Sequence, residues 1–248
     1  MRTIVIGDAH GYPWLIANAL DHAGFDAAQD RFVFTGDFLD RGPEPQACLD
    51  LVEQYATTVL VGNHELAVLL EDPITPFDAA SALFEPYLRG RVLNAPRSEA
   101  WRCAAEVDGV LITHAGVPAR YQRALSEECG GDIAAFADWL NKAFDESLRA
   151  SIGRLAVDWE GLLGLDGPFW FRPRGLRAQE VLRGVPQIAG HTPVSAEVAN
   201  AFAEEGFYLI DPYAYEGPSP DRHRYAVIET VDGATTVRIE DSELGRIG

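Results

Sequence analysis

The feature that most constrains this chain is a recurring unit, a short apolar run that ends at once in a polar turn. TIVIG (3–7), RFVFTG (31–36) and TTVLVG (57–62) are separated by stretches of helical length. A helix is expected from Pro13 to about Ala23, with a proline in its first turn and Gly24 just past its end. A second should run from Pro43 to about Tyr55, and a third should begin near Glu65. Strands that are apolar and β-branched on both faces require a sheet covered on both sides.

The middle of the chain changes character. Prolines at 73, 76, 86 and 96 interrupt the segment from Glu71 to Ser98. VLITHAG (110–116) then reads as another buried strand. From Asp132 to Arg149, Ile133, Phe136, Leu140, Phe144 and Leu148 recur at spacings of three and four, which predicts an amphipathic helix facing a core. Strands return at PQIAG (186–190), GFYLID (206–211), RYAVIET (224–230) and ATTVRIE (234–240), the last two joined by a turn at Val231-Asp232-Gly233. With 248 residues, a single domain is expected, without repeats.

Charge narrows the function classes. Thirty-eight acidic residues against 20 basic ones give a net charge of −18, which repels nucleic acid and anionic membranes. The three cysteines, Cys48, Cys103 and Cys129, are widely spaced and form no CxxC pair, so neither a zinc ribbon nor a disulfide framework is expected. The apolar run after Met1-Arg2 is too short for a signal peptide, and no run reaches the length of a membrane span. A cytoplasmic location follows as the expectation.

The polar turns carry the chemistry. GDAHG (7–11), GDFLDRG (36–42), GNHE (62–65), HAG (114–116) and GHTP (190–193) each follow an expected strand. Sites in open α/β sheets gather beyond the carboxyl ends of strands, so five distant turns can converge. Four of the six histidines, His10, His64, His114 and His191, fall inside these turns; His22 and His223 do not. Asp8, His10, Asp37, Asn63, His114 and His191 offer carboxylate, imidazole and amide oxygen without thiolate. That mixture suits manganese, iron or zinc, and so many ligands suit two ions sharing a carboxylate. Any one of these turns alone is more often only a turn; the ordered set of five is the signal.

This ordered set resembles the signature of the calcineurin-like metallophosphoesterases, and within them the phosphoprotein phosphatase branch. That branch holds serine/threonine phosphatases, lambda-type phosphatases and symmetrical diadenosine tetraphosphatases. The resemblance implies an α/β fold: a central β-sandwich of mixed sheets flanked by helices, the metal site at the strand carboxyl ends, and helical cap insertions at about 71–108 and 119–165. It implies two transition-metal ions, manganese first, with iron or zinc as alternatives. Asp8, His10 and Asp37 would hold one ion, and Asp37 would bridge to a second held by Asn63, His114 and His191. A metal-bridging hydroxide would attack phosphorus in line. His64 would protonate the leaving oxygen, oriented by Asp40, and Arg41 would grip the phosphate. A second phosphate-binding arginine is expected in WFRPRG (170–175), with Arg172 fitting best and Arg174 close behind.

The implied substrate is a phosphomonoester, phosphoserine or phosphothreonine in a protein among them. The alternative is a dinucleoside tetraphosphate cleaved symmetrically at the same metals, and the third reading is a metal-binding scaffold without turnover. Asp40 and Glu65 are the residues that tetraphosphatases of this type often replace, and their presence favours the phosphatase reading. One departure stands out: where lambda-type enzymes end a strand in Asp-Thr-Gly, this chain has Asp211-Pro212-Tyr213.

Overall fold

The three apolar runs of the first third become neighbouring parallel strands: β1 (Arg2–Ile6), β2 (Arg31–Phe34) and β3 (Thr58–Val59). The structure, a computed structural model, describes residues 1–71, 77–152, 161–173, 178–212 and 223–241. The expected helices connect these strands as α1 (Pro13–His22), α2 (Pro45–Tyr55) and α3 (Asn63–Leu70). Two boundaries differ from the sequence reading. Pro43 lies outside α2, in the bend that precedes the helix, where the Glu44 N–H donates to Gly11 O at 3.0 Å. α3 starts at Asn63, so Asn63 and His64 sit in its first turn.

β4 (Ala104–Val107) was not legible in the sequence. Its residues, AAEV, are short and rich in alanine, a weak strand former. It pairs antiparallel with β5 (Val110–Thr113) across Asp108-Gly109, both at positive φ. The anticipated hairpin between β8 (Arg224–Val231) and β9 (Ala234–Asp241) uses the same device at Asp232-Gly233. Two positive φ values in a two-residue loop are what a type I′ turn needs, and Asp-Gly supplies them.

Two mixed sheets result, ordered β3-β2-β1-β8-β9 and β4-β5-β6-β7, with β6 (Gln187–Ala189) and β7 (Phe207–Leu209) continuing parallel from β5. Strand alternation sorts the core into layers. Val5, Val33, Ala226 and Ile228 of the first sheet meet Val110, Ile112 and Ile188 of the second in one buried layer. Ile4, Ile6, Phe32 and Phe34 point the other way and join a cluster with Ile16, Ala19, Leu49 and Val52 of α1 and α2. The second sheet is covered by α6 (Ile133–Ser151), which packs on β4 and β5, and by α7 (Ala196–Glu204), which packs on β7.

The amphipathic pattern behind α6 buries Phe136, Leu140, Phe144 and Leu148, and Asp132 caps the helix by accepting the Ala135 N–H at 3.0 Å. Each such side chain contributes about 1.5–3 kcal/mol on burial. The stretch before β4 carries two short helices, α4 (Ala79–Ala82) and α5 (Glu85–Arg89), and α5 packs against α3. The architecture is therefore an α/β sandwich of mixed sheets flanked by helices.

The sandwich places the turns. Parallel strands end at a common edge, and backbone hydrogen bonds lace the turns together there. Asp8 N–H donates to Gly36 O at 2.9 Å, and His10 N–H to Asp37 O at 2.8 Å.

Candidate metal centre

The five turns converge on one buried cluster. Asp8, His10, Asp37, Asn63, His114 and His191 are all buried, although they come from both sheets. Asp8, His10, Asp37, Asp40, Arg41 and His191 all take positive φ, between 44° and 68°. Non-glycine residues hold that conformation at a cost, and such costs concentrate at functional sites. Close approach explains two of the glycines. A Cβ on Gly62 would collide with Asp37 Oδ1, and one on Gly190 would collide with Asp8 Oδ2.

Asp37 lies at the centre. Its Oδ2 is 3.4 Å from His10 Nε2 and 3.5 Å from His114 Nε2, while Oδ1 accepts the His64 backbone N–H at 3.0 Å. The histidines are oriented from behind. His10 Nδ1 donates to Leu39 O at 2.8 Å and His114 Nδ1 to Thr35 O at 2.9 Å, which leaves both Nε2 lone pairs facing the cluster. Asn63 Oδ1 lies 2.8 Å from His114 Nε2 and 3.0 Å from His191 Nδ1. Asp8 Oδ1 accepts the His191 N–H at 2.8 Å, but Asp8 Oδ2 is buried with no hydrogen-bond partner.

This arrangement fits metal ions. A buried carboxylate oxygen without a donor is costly, and a cation relieves that cost. Lone pairs of imidazole, amide and carboxylate converge where a proton cannot satisfy them all. Two groups come within ligand-sharing distance, His10-Asp37-His64 and Asp37-His114-His191, and Asp37 is common to both. His64 takes the place in the first group that the sequence reading gave to Asp8. Asp8 instead offers its unpartnered oxygen from the side of His191.

Electrostatics point the same way. Burial, then Asp211 and Asp37, holds the Asp8 carboxyl well above its usual range. Burial pushes His10 down to about 3, and it lowers His114 and, further, His191. Burial opposes ionisation of Asp37 as well, but the four surrounding histidines outweigh it and hold its carboxyl low. Neutral imidazoles around an ionised central carboxylate are in the protonation state that metal binding requires.

A second group flanks the cluster. His64 Nδ1 lies 2.5 Å from Asp40 Oδ2, and His64 Nε2 faces Arg41 Nη2 at 3.5 Å. Burial opposes the imidazolium, but Asp37 and the Asp40 hydrogen bond prevail, and the His64 pKa is raised. Asp40 is also buried, yet hydrogen bonds from His64, Ser81 and the Asp78 backbone keep its carboxyl low. Arg172 is exposed, and its charge reaches the cluster, lowering the pKa of His114 and His191. Arg174 lies outside the described residues.

The sequence reading gave no structural role to three contributors, Glu65, Asp211 and Ser81. Glu65 Oε2 accepts the N–H of Asp37 at 2.7 Å and of Gly62 at 2.9 Å, and Oε1 accepts Phe38 N–H at 3.0 Å and Leu39 N–H at 3.3 Å. It thereby shapes the GDFLDRG turn. A glutamate three residues after the residue preceding a helix is a capping signal, so its bond to the Gly62 N–H is legible in the sequence, unlike its bonds to the turn. Asp211 adds negative charge beside Asp8, and Ser81 holds Asp40. In the sequence Asp211 stands out only as part of the Asp211-Pro212-Tyr213 departure, and nothing in the local sequence marks Ser81. The two histidines outside the turns pack against each other instead, with ring centroids 4.1 Å apart and the rings tilted by 38°, and His22 Nδ1 lies 2.8 Å from Tyr225 OH.

Comparison with known proteins adds the family context. A profile of the family described as calcineurin-like phosphoesterase matches residues 1–195. The symmetrical bis(5′-nucleosyl)-tetraphosphatase of Glaesserella parasuis is 31% identical over 159 residues, 59% of this chain and 58% of that protein. The protein of the same description from Edwardsiella ictaluri is 28% identical over 175 residues, 66% of this chain and 61% of that protein. The chain thus spans about three fifths of the length of these curated relatives. Among solved structures, a cold-active protein tyrosine phosphatase superposes with a TM-score of 0.59 at 16% identity, covering 95% of this chain and 78% of that one. At that identity the likeness is one of fold.

Proposed function

Since this chain belongs to the calcineurin-like phosphoesterase family, we propose that it is a two-metal-dependent hydrolase of phosphate monoesters. One observation carries the reading: the buried Asp37 carboxylate stands between two ligand groups, beside an Asp8 oxygen that has no partner. Asp8, His10 and Asp37 would hold one ion, and Asp37, Asn63, His114 and His191 the other. Manganese, iron and zinc all suit these donors. Bound there, the ions supply charge neutralisation of the phosphoryl oxygens and acidify water to a nucleophile.

The protein's own groups do the rest. Arg41 binds the phosphate oxygens through its guanidinium, with Arg172 approaching from the exposed side. His64 donates its Nδ1–H to Asp40, and as the imidazolium it carries a second proton on Nε2 for the leaving oxygen. Asp40 fixes the ring orientation and supports the positive charge. Of the stretches at 71–108 and 119–165, β4 belongs to the second sheet and α6 covers it, and the parts outside these two elements are proposed to shape the substrate entrance. The reading places the enzyme in the cytoplasm, consistent with three free cysteines and, among the described residues, no helix long and apolar enough to cross a membrane.

A second substrate reading rests on the relatives named symmetrical bis(5′-nucleosyl)-tetraphosphatases. The same cluster would then cleave a dinucleoside tetraphosphate. One assay separates the two. Manganese-loaded protein is expected to release p-nitrophenol from p-nitrophenyl phosphate, and His64→Asn to lose most of that rate. Release of ADP from diadenosine tetraphosphate, without monoester cleavage, would shift the assignment to the second reading. Full activity of His64→Asn would remove the role given to His64.

A further inference from the structure

We propose that Ser81, carried on α4 ahead of β4, is a positioning residue for the Asp40–His64 pair and makes proton delivery depend on that inserted segment. This inference rests on the phosphoesterase reading. Ser81 is fully buried, and its Oγ accepts the Asp40 backbone N–H at 3.1 Å. Asp78, just before α4, donates its own N–H to Asp40 Oδ1 at 3.0 Å and accepts the Ser81 N–H on Oδ1 at 2.7 Å. A closed ring of hydrogen bonds therefore ties Asp40, Asp78 and Ser81 together, with His64 attached at Asp40 Oδ2.

The ring accounts for the conformation of Asp40. Its φ is 64°, which turns its N–H away from any strand or helix partner. A buried N–H needs an acceptor, and Ser81 is the one provided. The Asp78 N–H occupies Oδ1, so that Oδ2 is presented to the imidazole. Without the hydroxyl, the turn has no buried acceptor for the Asp40 N–H, and the carboxylate loses its fixed aim at His64. None of these contacts touches Asp8, His10, Asp37, Asn63, His114 or His191. The effect should therefore fall on proton transfer and leave metal retention alone.

The test exploits leaving-group basicity. A proton donor matters most when the departing oxygen is a basic alkoxide and least when it is p-nitrophenolate. Ser81→Ala in the full manganese-loaded chain is compared with wild type on β-glycerophosphate and on p-nitrophenyl phosphate. The expected result is a kcat loss of about 10- to 100-fold on the alkyl ester, a clearly smaller loss on the aryl ester, and an unchanged KM. In the zinc-loaded chain, the downfield proton resonance of His64 Nδ1–H, assigned by its loss in His64→Asn, is expected to shift in Ser81→Ala. Equal losses on both esters, or no loss, together with an unmoved resonance would overturn the proposal. Wild-type protein inactive on both esters would defeat the phosphoesterase reading, and the resonance alone would then decide whether Ser81 positions His64. If Ser81→Ala does not fold, Ser81→Cys, nearly isosteric but a weak donor and acceptor, takes its place in both arms.

Discussion

His64 Nδ1 and Asp40 Oδ2 meet at 2.5 Å across a gap of 24 residues in sequence, both side chains buried. One residue leaves a turn after β2, and the other opens α3. The contact forces the imidazole to present Nε2 toward Asp37 and Arg41, where its Nε2 lies 4.0 Å from Asp37 Oδ2.

This contact predicts coupled losses. Asp40→Asn and His64→Asn should each lower kcat by about 10²–10⁴-fold with little change in KM. The double variant should be scarcely worse than His64→Asn alone, since groups acting as a unit are not additive. Steady-state kinetics of the three variants checks this, and multiplicative losses would separate the two residues.

Metal retention should depend on Asp37 and on the space beside it. Asp37→Asn is expected to lose bound transition metal after gel filtration. Gly62→Ala removes no ligand, yet its methyl would collide with Asp37 Oδ1, and it should lose metal as well. Elemental analysis decides the point; full retention in Gly62→Ala would show that Asp37 has room to move.

Arg41 predicts a binding effect. Arg41→Lys keeps the charge but loses the planar fork, so inhibition by inorganic phosphate should weaken about tenfold. Measured inhibition constants check this. An unchanged constant would assign phosphate binding elsewhere.

A pH effect on stability is expected away from the centre. Arg2 Nε and Nη2 donate to Asp30 at 3.1 and 2.6 Å, and the same guanidinium reaches Ala23 O and Gly24 O after α1. The Arg2 hydrogen bonds hold the Asp30 carboxyl below its usual range despite burial. A lowered folded-state pKa contributes stability that is present above the unfolded value of about 3.9 and is lost as pH falls through the folded value. Asp30→Asn should cost about 1 kcal/mol at neutral pH, with the gap to wild type narrowing as the pH drops toward 2. Urea unfolding at several pH values measures it.

Much of this site is legible in the sequence itself, because the turns carry residue types that a plain turn does not need. The β-branched strands announce the sheet, and the spacing of Phe136, Leu140 and Phe144 announces α6. What escapes a reading of the sequence depends on contacts at long sequence range. β4 has too little propensity to stand out alone and exists because β5 and α6 cover it. Ser81 sits in unremarkable local sequence, Asp211 is visible only as a departure from a family pattern, and they act through Asp40 and Asp8 respectively. Glu65 is visible as a capping residue, but that one carboxylate gathers four backbone N–H groups is a property of the folded chain.

The central claim is that Asp37 is shared by two metal ions. Anomalous diffraction from crystals grown with manganese tests it most directly. The account predicts two peaks about 3.5–4 Å apart, one on each side of the Asp37 carboxylate. A single peak, or peaks that leave Asp37 uncoordinated, would contradict it.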